Sequence, residues 1–185
     1  SELATLAHSF GAAGYETVLC GRMHFCGQDQ RHGFMRRLVG DFTPCIQGRG
    51  VARRADLGPY VSTPAGDWPK LYGGGTSPVL EYDRAVLAAA LEELAGPHDH
   101  PLLLVVGTYG PHHTFVAPPE LYAKYLELVA PPVEAESVDM HPFDRQRIKQ
   151  DDRLTPDAVH RIRAAYCGLI EHIDGVFGQV MEAWD

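Results

Sequence analysis

What the sequence lacks narrows it first. It has no surplus of basic charge: 16 Lys and Arg stand against 24 Asp and Glu, a formal net charge of −8. A general nucleic-acid binder needs a basic face for the phosphate backbone, so that class is excluded. A local cationic pocket for a small anion is compatible with this balance, and basic residues do pair at Arg36-Arg37 and Arg53-Arg54. Apolar runs such as Leu102 to Val106 fall far short of the roughly 20 residues of a membrane-spanning helix. No secretory leader pattern opens the chain. Cys20, Cys26, Cys45 and Cys167 form no C-x-x-C pair and no zinc-ribbon spacing, which reads as reduced thiols in a cytoplasmic protein. What remains is 185 residues, 45% hydrophobic and 22% charged, enough for a single domain over 1–185 with its own core.

Local patterns order that domain. The chain opens without an initiator Met, and Leu3, Leu6, Ala7 and Phe10 already recur at helical spacing, as though a segment preceded them. Gly14 suits the end of that helix. Tyr15 to Cys20 is rich in β-branched and aromatic residues and predicts a strand, ended by Gly21. From Gly21 to about Ser77 periodicity is weak, and a long Gly/Pro loop occupies about 43–76. Loops of that length inside a compact domain are usually functional. Val79 to Ala95 predicts a helix whose face carries Val86, Leu87, Ala90, Leu91 and Leu94, stopped by Gly96-Pro97. Pro101 to Thr108 is a continuous apolar strand of the kind covered on both faces. Pro118-Pro119 opens a helix to about Leu126, and a polar loop runs over about 131–154. A last helix begins at Thr155-Pro156-Asp157, with Thr155 as N-cap, and reaches about Trp184. Its expected buried stripe is Ile162, Ala165, Tyr166, Leu169, Ile173, Val176, Phe177 and Val180. This order predicts an α/β fold, an αβα sandwich left incomplete at both ends of the sequence.

Two loops carry the chemistry. Gly21-Arg22-Met23-His24-Phe25 directly follows the first strand, and Thr108-Tyr109-Gly110-Pro111-His112-His113 follows the second. In open α/β sheets ligands bind beyond the carboxyl ends of strands. Arg22 offers paired N–H donors to an oxyanion, and a His on such a loop suits general acid-base work. Taken singly, each set is ordinary: a surface Arg, a backbone-bonded His, a pair of solvated histidines. Taken together, they describe a pocket for a tetrahedral anion. His98-Asp99-His100 precedes its strand, the wrong end for a site, and reads as a solvated turn.

A resemblance sharpens this. Ala12 to His24, A-A-G-Y-E-T-V-L-C-G-R-M-H, is similar to the sulfatase segment in which an A-A-G-Y helix end leads through a strand into G-K-x-H. His24 to Phe34, H-F-C-G-Q-D-Q-R-H-G-F, resembles choline-sulfatase-type members. Pro101 to Pro119 resembles the family's strand, P-H loop and A-P-P helix start, and Tyr166 to Val180 the helix before its later metal-binding strand. The matches come in the family's order and span most of the chain.

The resemblance implies an αβα sandwich of the alkaline-phosphatase superfamily. It implies hydrolysis of small-molecule sulfate esters by a formylglycine, made within C/S-x-P-x-R, with a bound calcium. Arg22 takes the place of a Lys that contacts the sulfate, a departure that keeps the charge but changes its geometry to a planar fork. His24 matches a His that hydrogen-bonds the formylglycine, and His112 a His near the leaving-group oxygen, a candidate general acid. The nucleophile motif itself is missing. Cys45-Ile46-Gln47-Gly48-Arg49 has the Cys and Arg spacing but no Pro, and it follows G-R-M-H where the family's motif precedes it. No calcium set is legible: Asp151-Asp152 reads as a solvated cap, and Glu171 and Asp174 as ion-pairing helix residues. The expectation is therefore part of a sulfuric ester hydrolase that contributes sulfate-pocket residues and is inactive alone. Two alternatives remain: a phosphodiester or phosphonate-ester hydrolase of the same superfamily, or a non-catalytic anion- or partner-binding relative. An open sheet edge admits a homo-oligomer.

Overall fold

The computed structural model describes residues 3–25, 27, 29–42, 72–131, 141–142 and 155–184. They form, in chain order, α1 (Leu6–Ala12), β1 (Glu16–Gly21), β2 (Arg36–Arg37), β3 (Tyr72–Gly74), α2 (Pro78–Ala95), β4 (Leu102–Gly107), β5 (Phe115–Ala117), α3 (Pro119–Leu128) and α4 (Pro156–Trp184). The string Cys45 to Arg49, and Asp151-Asp152, lie outside the described residues.

The chain divides into two compact units. Ser1–Pro64, Ser77–His112 and Ile173–Asp185 make the first, Ala65–Thr76 and His113–His172 the second. In the first, a parallel sheet runs in the order β2-β1-β4. β1 pairs with β4 from Glu16 opposite Leu102 to Gly21 opposite Gly107, and β2 adds Arg36 and Arg37 opposite Val18 and Leu19. Alternation along β1 sends Cys20 to one face and Leu19 to the other. On the Cys20 side lie Val79, Tyr82, Val86 and Ala90 of α2 with Phe42 and Tyr109. On the Leu19 side lie Ala7 of α1 and Phe34. Each fully buried apolar side chain of this kind contributes roughly 1.5–3 kcal/mol. Helices therefore cover both faces of a parallel sheet, the α/β class expected from the sequence.

α2 begins as its sequence dictates. The Ser77 side chain accepts the Leu80 N–H, and Pro78 occupies a position where its missing N–H costs nothing. In the second unit β3 pairs with β5 in parallel, Tyr72 opposite Phe115 to Gly74 opposite Ala117. Thr155 caps α4 by accepting the Ala158 N–H at 3.2 Å. None of the described helices is long and apolar enough to cross a membrane.

Three details differ from the sequence reading. β4 is half-buried along its whole length, because among the described residues it has a strand neighbour on one side alone. Tyr166 and Phe177, assigned to the buried stripe of α4, are exposed. The 29-residue helix drifts around its axis, so one stripe cannot stay buried from end to end. His98 is not part of a bare solvated turn. It is half-buried, with Nδ1 3.2 Å from Glu16 Oε2 and Nε2 3.0 Å from the Glu93 carbonyl.

Candidate active site

β1 and β4 are neighbours and parallel, so the two loops singled out from sequence leave the sheet side by side. A pair of glycines allows it. Gly21 has φ +96, and a Cβ on it would meet the Gly107 carbonyl oxygen at 2.2 Å. A Cβ on Gly107 would meet the Arg22 carbonyl oxygen at 1.9 Å. With hydrogens in both places, the Arg22 N–H donates to the Gly107 carbonyl at 2.7 Å, extending the strand pairing into the loops.

Arg22 and His112 both pack against Tyr109. The Arg22 guanidinium carbon lies 4.7 Å from the Tyr109 ring centroid, and the His112 ring lies 4.8 Å from it. Tyr109 is buried against Phe42 at 4.1 Å, which makes it a fixed platform. Among the described residues, the buried Nε of Arg22 has no hydrogen-bond partner. A buried cationic donor without an acceptor is costly, and an anion is the group that would satisfy it. His24 leaves the same loop with φ +55 and an exposed side chain.

Two buried carboxylates shape the loops. Asp41 Oδ2 accepts the Met23 N–H at 3.2 Å and the His24 N–H at 2.6 Å. It also lies 3.6 Å from Arg37 Nη2, both side chains fully buried. Arg37 donates in turn to the Gly21 carbonyl at 2.9 Å and to Gln30 at 2.9 and 3.2 Å. Burial works against the Arg37 charge and Asp41 supports it. Asp83, on α2, accepts the Tyr109 N–H on Oδ1 at 2.6 Å and the Gly110 N–H on Oδ2 at 2.9 Å. Burial pushes the Asp83 carboxyl up to about 6, against the pull of those two N–H groups. Sequence reasoning missed both aspartates, which carry no motif of their own.

The other candidates separate from this site. His113 belongs to the second unit. Glu171 is ion-paired, as expected, but with Lys124 of α3 at 2.6 Å, and Asp174 is exposed. Cys20 is no nucleophile: its buried thiol donates to the Val86 carbonyl, and burial pushes it up to about 12.

The described residues do not fit calcium at this site. Calcium takes about six to eight oxygen ligands, while the oxygens of Asp41 and Asp83 are turned to backbone N–H groups and Arg37. A different group, Glu16, Glu93 and His98, brings ligand atoms within 4.8 Å of one another. It sits at the opposite end of β1, beside a cleft of about 480 Å³ lined in part by Arg36 and Glu92. Arg36 already neutralises Glu93 there, at 2.5 Å. Both ring nitrogens of His98 already face acceptors, Glu16 Oε2 and the Glu93 carbonyl, which favours its protonated form over metal ligation.

The parallel sheet thus delivers an arginine and a histidine from adjacent strand ends, with backbone glycines in close contact beneath them. The chain belongs to the sulfatase family, whose family model covers residues 1–184. It is 32% identical over 208 residues to the choline-sulfatase of Rhizobium meliloti (strain 1021), an alignment covering 98% of this chain and 39% of that protein. It is also 32% identical over 114 residues to the multifunctional alkaline phosphatase superfamily protein PehA of Trinickia caryophylli, covering 52% of this chain and 22% of that protein. The chain thus spans about two fifths of the first relative's length and about a fifth of the second's.

Proposed function

We propose that this chain supplies the sulfate-gripping part of a sulfuric ester hydrolase. The observation that carries the reading is Arg22, whose buried Nε lacks an acceptor while its guanidinium is stacked on Tyr109 beside His112. A sulfate oxygen accepting from that N–H satisfies the donor and places the ester within reach of an imidazole.

In this reading Arg22 binds the charged sulfuryl oxygens and stabilises the charge that builds on them as the ester S–O bond lengthens. His112 hands a proton to the leaving alcohol oxygen. His24, on the same loop as Arg22, orients the attacking group by hydrogen bonding. Tyr109 packs against both Arg22 and His112 and holds them in place. The family resemblance adds a formylglycine nucleophile and calcium. The sequence holds no C/S-x-P-x-R string and the described residues do not fit calcium, so no step is assigned to either here. The organic half of the ester stays open; a choline ester is one candidate, by likeness to the choline-sulfatase.

Inorganic sulfate titrated into the chain, observed by NMR on the histidine rings, tests this. Saturable shifts of the His24 and His112 rings are expected, and Arg22→Gln should abolish them. Sulfate that moves neither ring would sink the reading. Phosphate and methylphosphonate, run in parallel, test the phosphoester alternative that the likeness to PehA raises. Markedly tighter binding of either than of sulfate would favour it.

A further inference from the structure

We infer that Asp83 is a positioning residue of the anion site, the carboxylate that holds the Tyr109–His112 loop in its binding geometry. The inference rests on the sulfate reading above and adds a residue to it. Asp83 touches neither Arg22 nor His112 in any recorded contact. It reaches from α2 to the strand end and accepts two successive backbone N–H groups, those of Tyr109 and Gly110, one on each oxygen.

Those two amides lie between β4 and His112. Tyr109 is the ring that both Arg22 and His112 pack against, so its backbone position bears on where both side chains lie. The loop's other backbone ties are few: the His112 N–H donates to the Tyr109 carbonyl at 3.1 Å, and the Thr108 hydroxyl to the Gly110 carbonyl at 3.3 Å. Both bonds are internal to the loop and fix its shape without fixing its place. Asp83 ties the backbone of that loop to α2. The side chain is fully buried, packed below Gly110, where an added Cβ would lie 2.8 Å from Oδ2 and 2.9 Å from Ile173. Gly110 and the carboxylate are therefore in close contact, with no room for a side chain between them.

The chemistry selects an ionised carboxylate. Two oxygens facing two N–H donors must both accept, and only the carboxylate has no donor of its own. In Asp83→Asn one oxygen becomes an NH2 group facing a backbone N–H. Donor then confronts donor with no change of volume, and the loop must move.

The test is sulfate affinity of the chain with and without Asp83, with the unfolding midpoint measured on the same samples. Asp83→Asn is expected to weaken sulfate binding roughly tenfold or more and to reduce the His112 ring shift more than the His24 shift, because His24 sits on the other loop. A purely structural role for Asp83 would lower the unfolding midpoint and leave the affinity of the folded fraction, and the ratio of the two ring shifts, unchanged. That result overturns the inference. Gly110→Ala attacks the same contact from the loop side, so whichever variant stays folded carries the measurement. If the wild-type chain binds no sulfate, the sulfate reading fails and this inference falls with it. If the wild type binds and Asp83→Asn binds equally well, the inference alone is lost.

Discussion

Gly21 and Gly107 face each other across the carboxyl ends of β1 and β4, and neither position has room for a side chain. Gly21→Ala meets both a clash with the Gly107 carbonyl and a backbone at φ +96 that L side chains avoid. A loss of about 2 kcal/mol or more is expected in urea unfolding. Gly175, on the exposed face of α4, is the control, since a Cβ there meets nothing within 4 Å. Gly175→Ala should gain up to about 1 kcal/mol from helix propensity. Equal effects at the two sites would contradict the packing argument. A sequence shows the glycines but not that they are opposite each other, since register is a property of the paired strands.

At the scale of elements, the start of β1, the short β2 and the last turns of α2 are tied by one cluster. Arg36 of β2 bridges Glu93 and Glu16, and His98 bridges Glu16 and the α2 carbonyl of Glu93. The hydrogen bond to Glu16, then that to the Glu93 carbonyl, hold the His98 pKa above its ordinary 6.5. The same bond to His98 is the main reason the Glu16 pKa lies below 4.5. A raised folded-state pKa on His98 means its contribution is complete below pH 6.5 and fades as pH rises through the folded value. A lowered one on Glu16 means its contribution is present above 4.5 and fades on acidification. The pair therefore stabilises most between these limits. Unfolding midpoints of wild type and His98→Gln should differ most near about pH 5.5 and converge toward about pH 9. A gap independent of pH would show that His98 acts by packing alone. The neighbouring charges of Arg36, Glu93 and His100 enter both proteins alike.

At the scale of the whole molecule, the family relationship and the chemistry on the page make different demands. In the proposed reading Arg22, Tyr109 and His112 grip an anion, but ester cleavage through this family's route needs a nucleophile, and the sequence holds no C/S-x-P-x-R string. The 185-residue chain is expected to bind sulfate without turning over aryl or choline sulfate. Robust calcium-dependent release of the alcohol by the purified chain would overturn this, and would direct attention to Cys45 and Arg49.

The sequence by itself determined the longer elements and the loops that carry the site. α1, β1, α2, β4, α3 and α4 all fall close to where periodicity, caps and breakers placed them, because each is long enough for side-chain pattern and end signals to agree. The placing of Arg22, His24 and His112 after strand ends was legible for the same reason. Only the tertiary structure decided the rest. β2, β3 and β5 have two or three residues each, too few to show any period, and exist because a neighbouring strand completes their hydrogen bonds. Asp41 lies 17 residues from His24 along the chain and Asp83 26 from Tyr109, yet the fold brings each within 2.6 Å of that residue's backbone nitrogen. Such long-range partners leave no local pattern, since what selects them is the burial of a loop's N–H groups and the need for an acceptor to meet them.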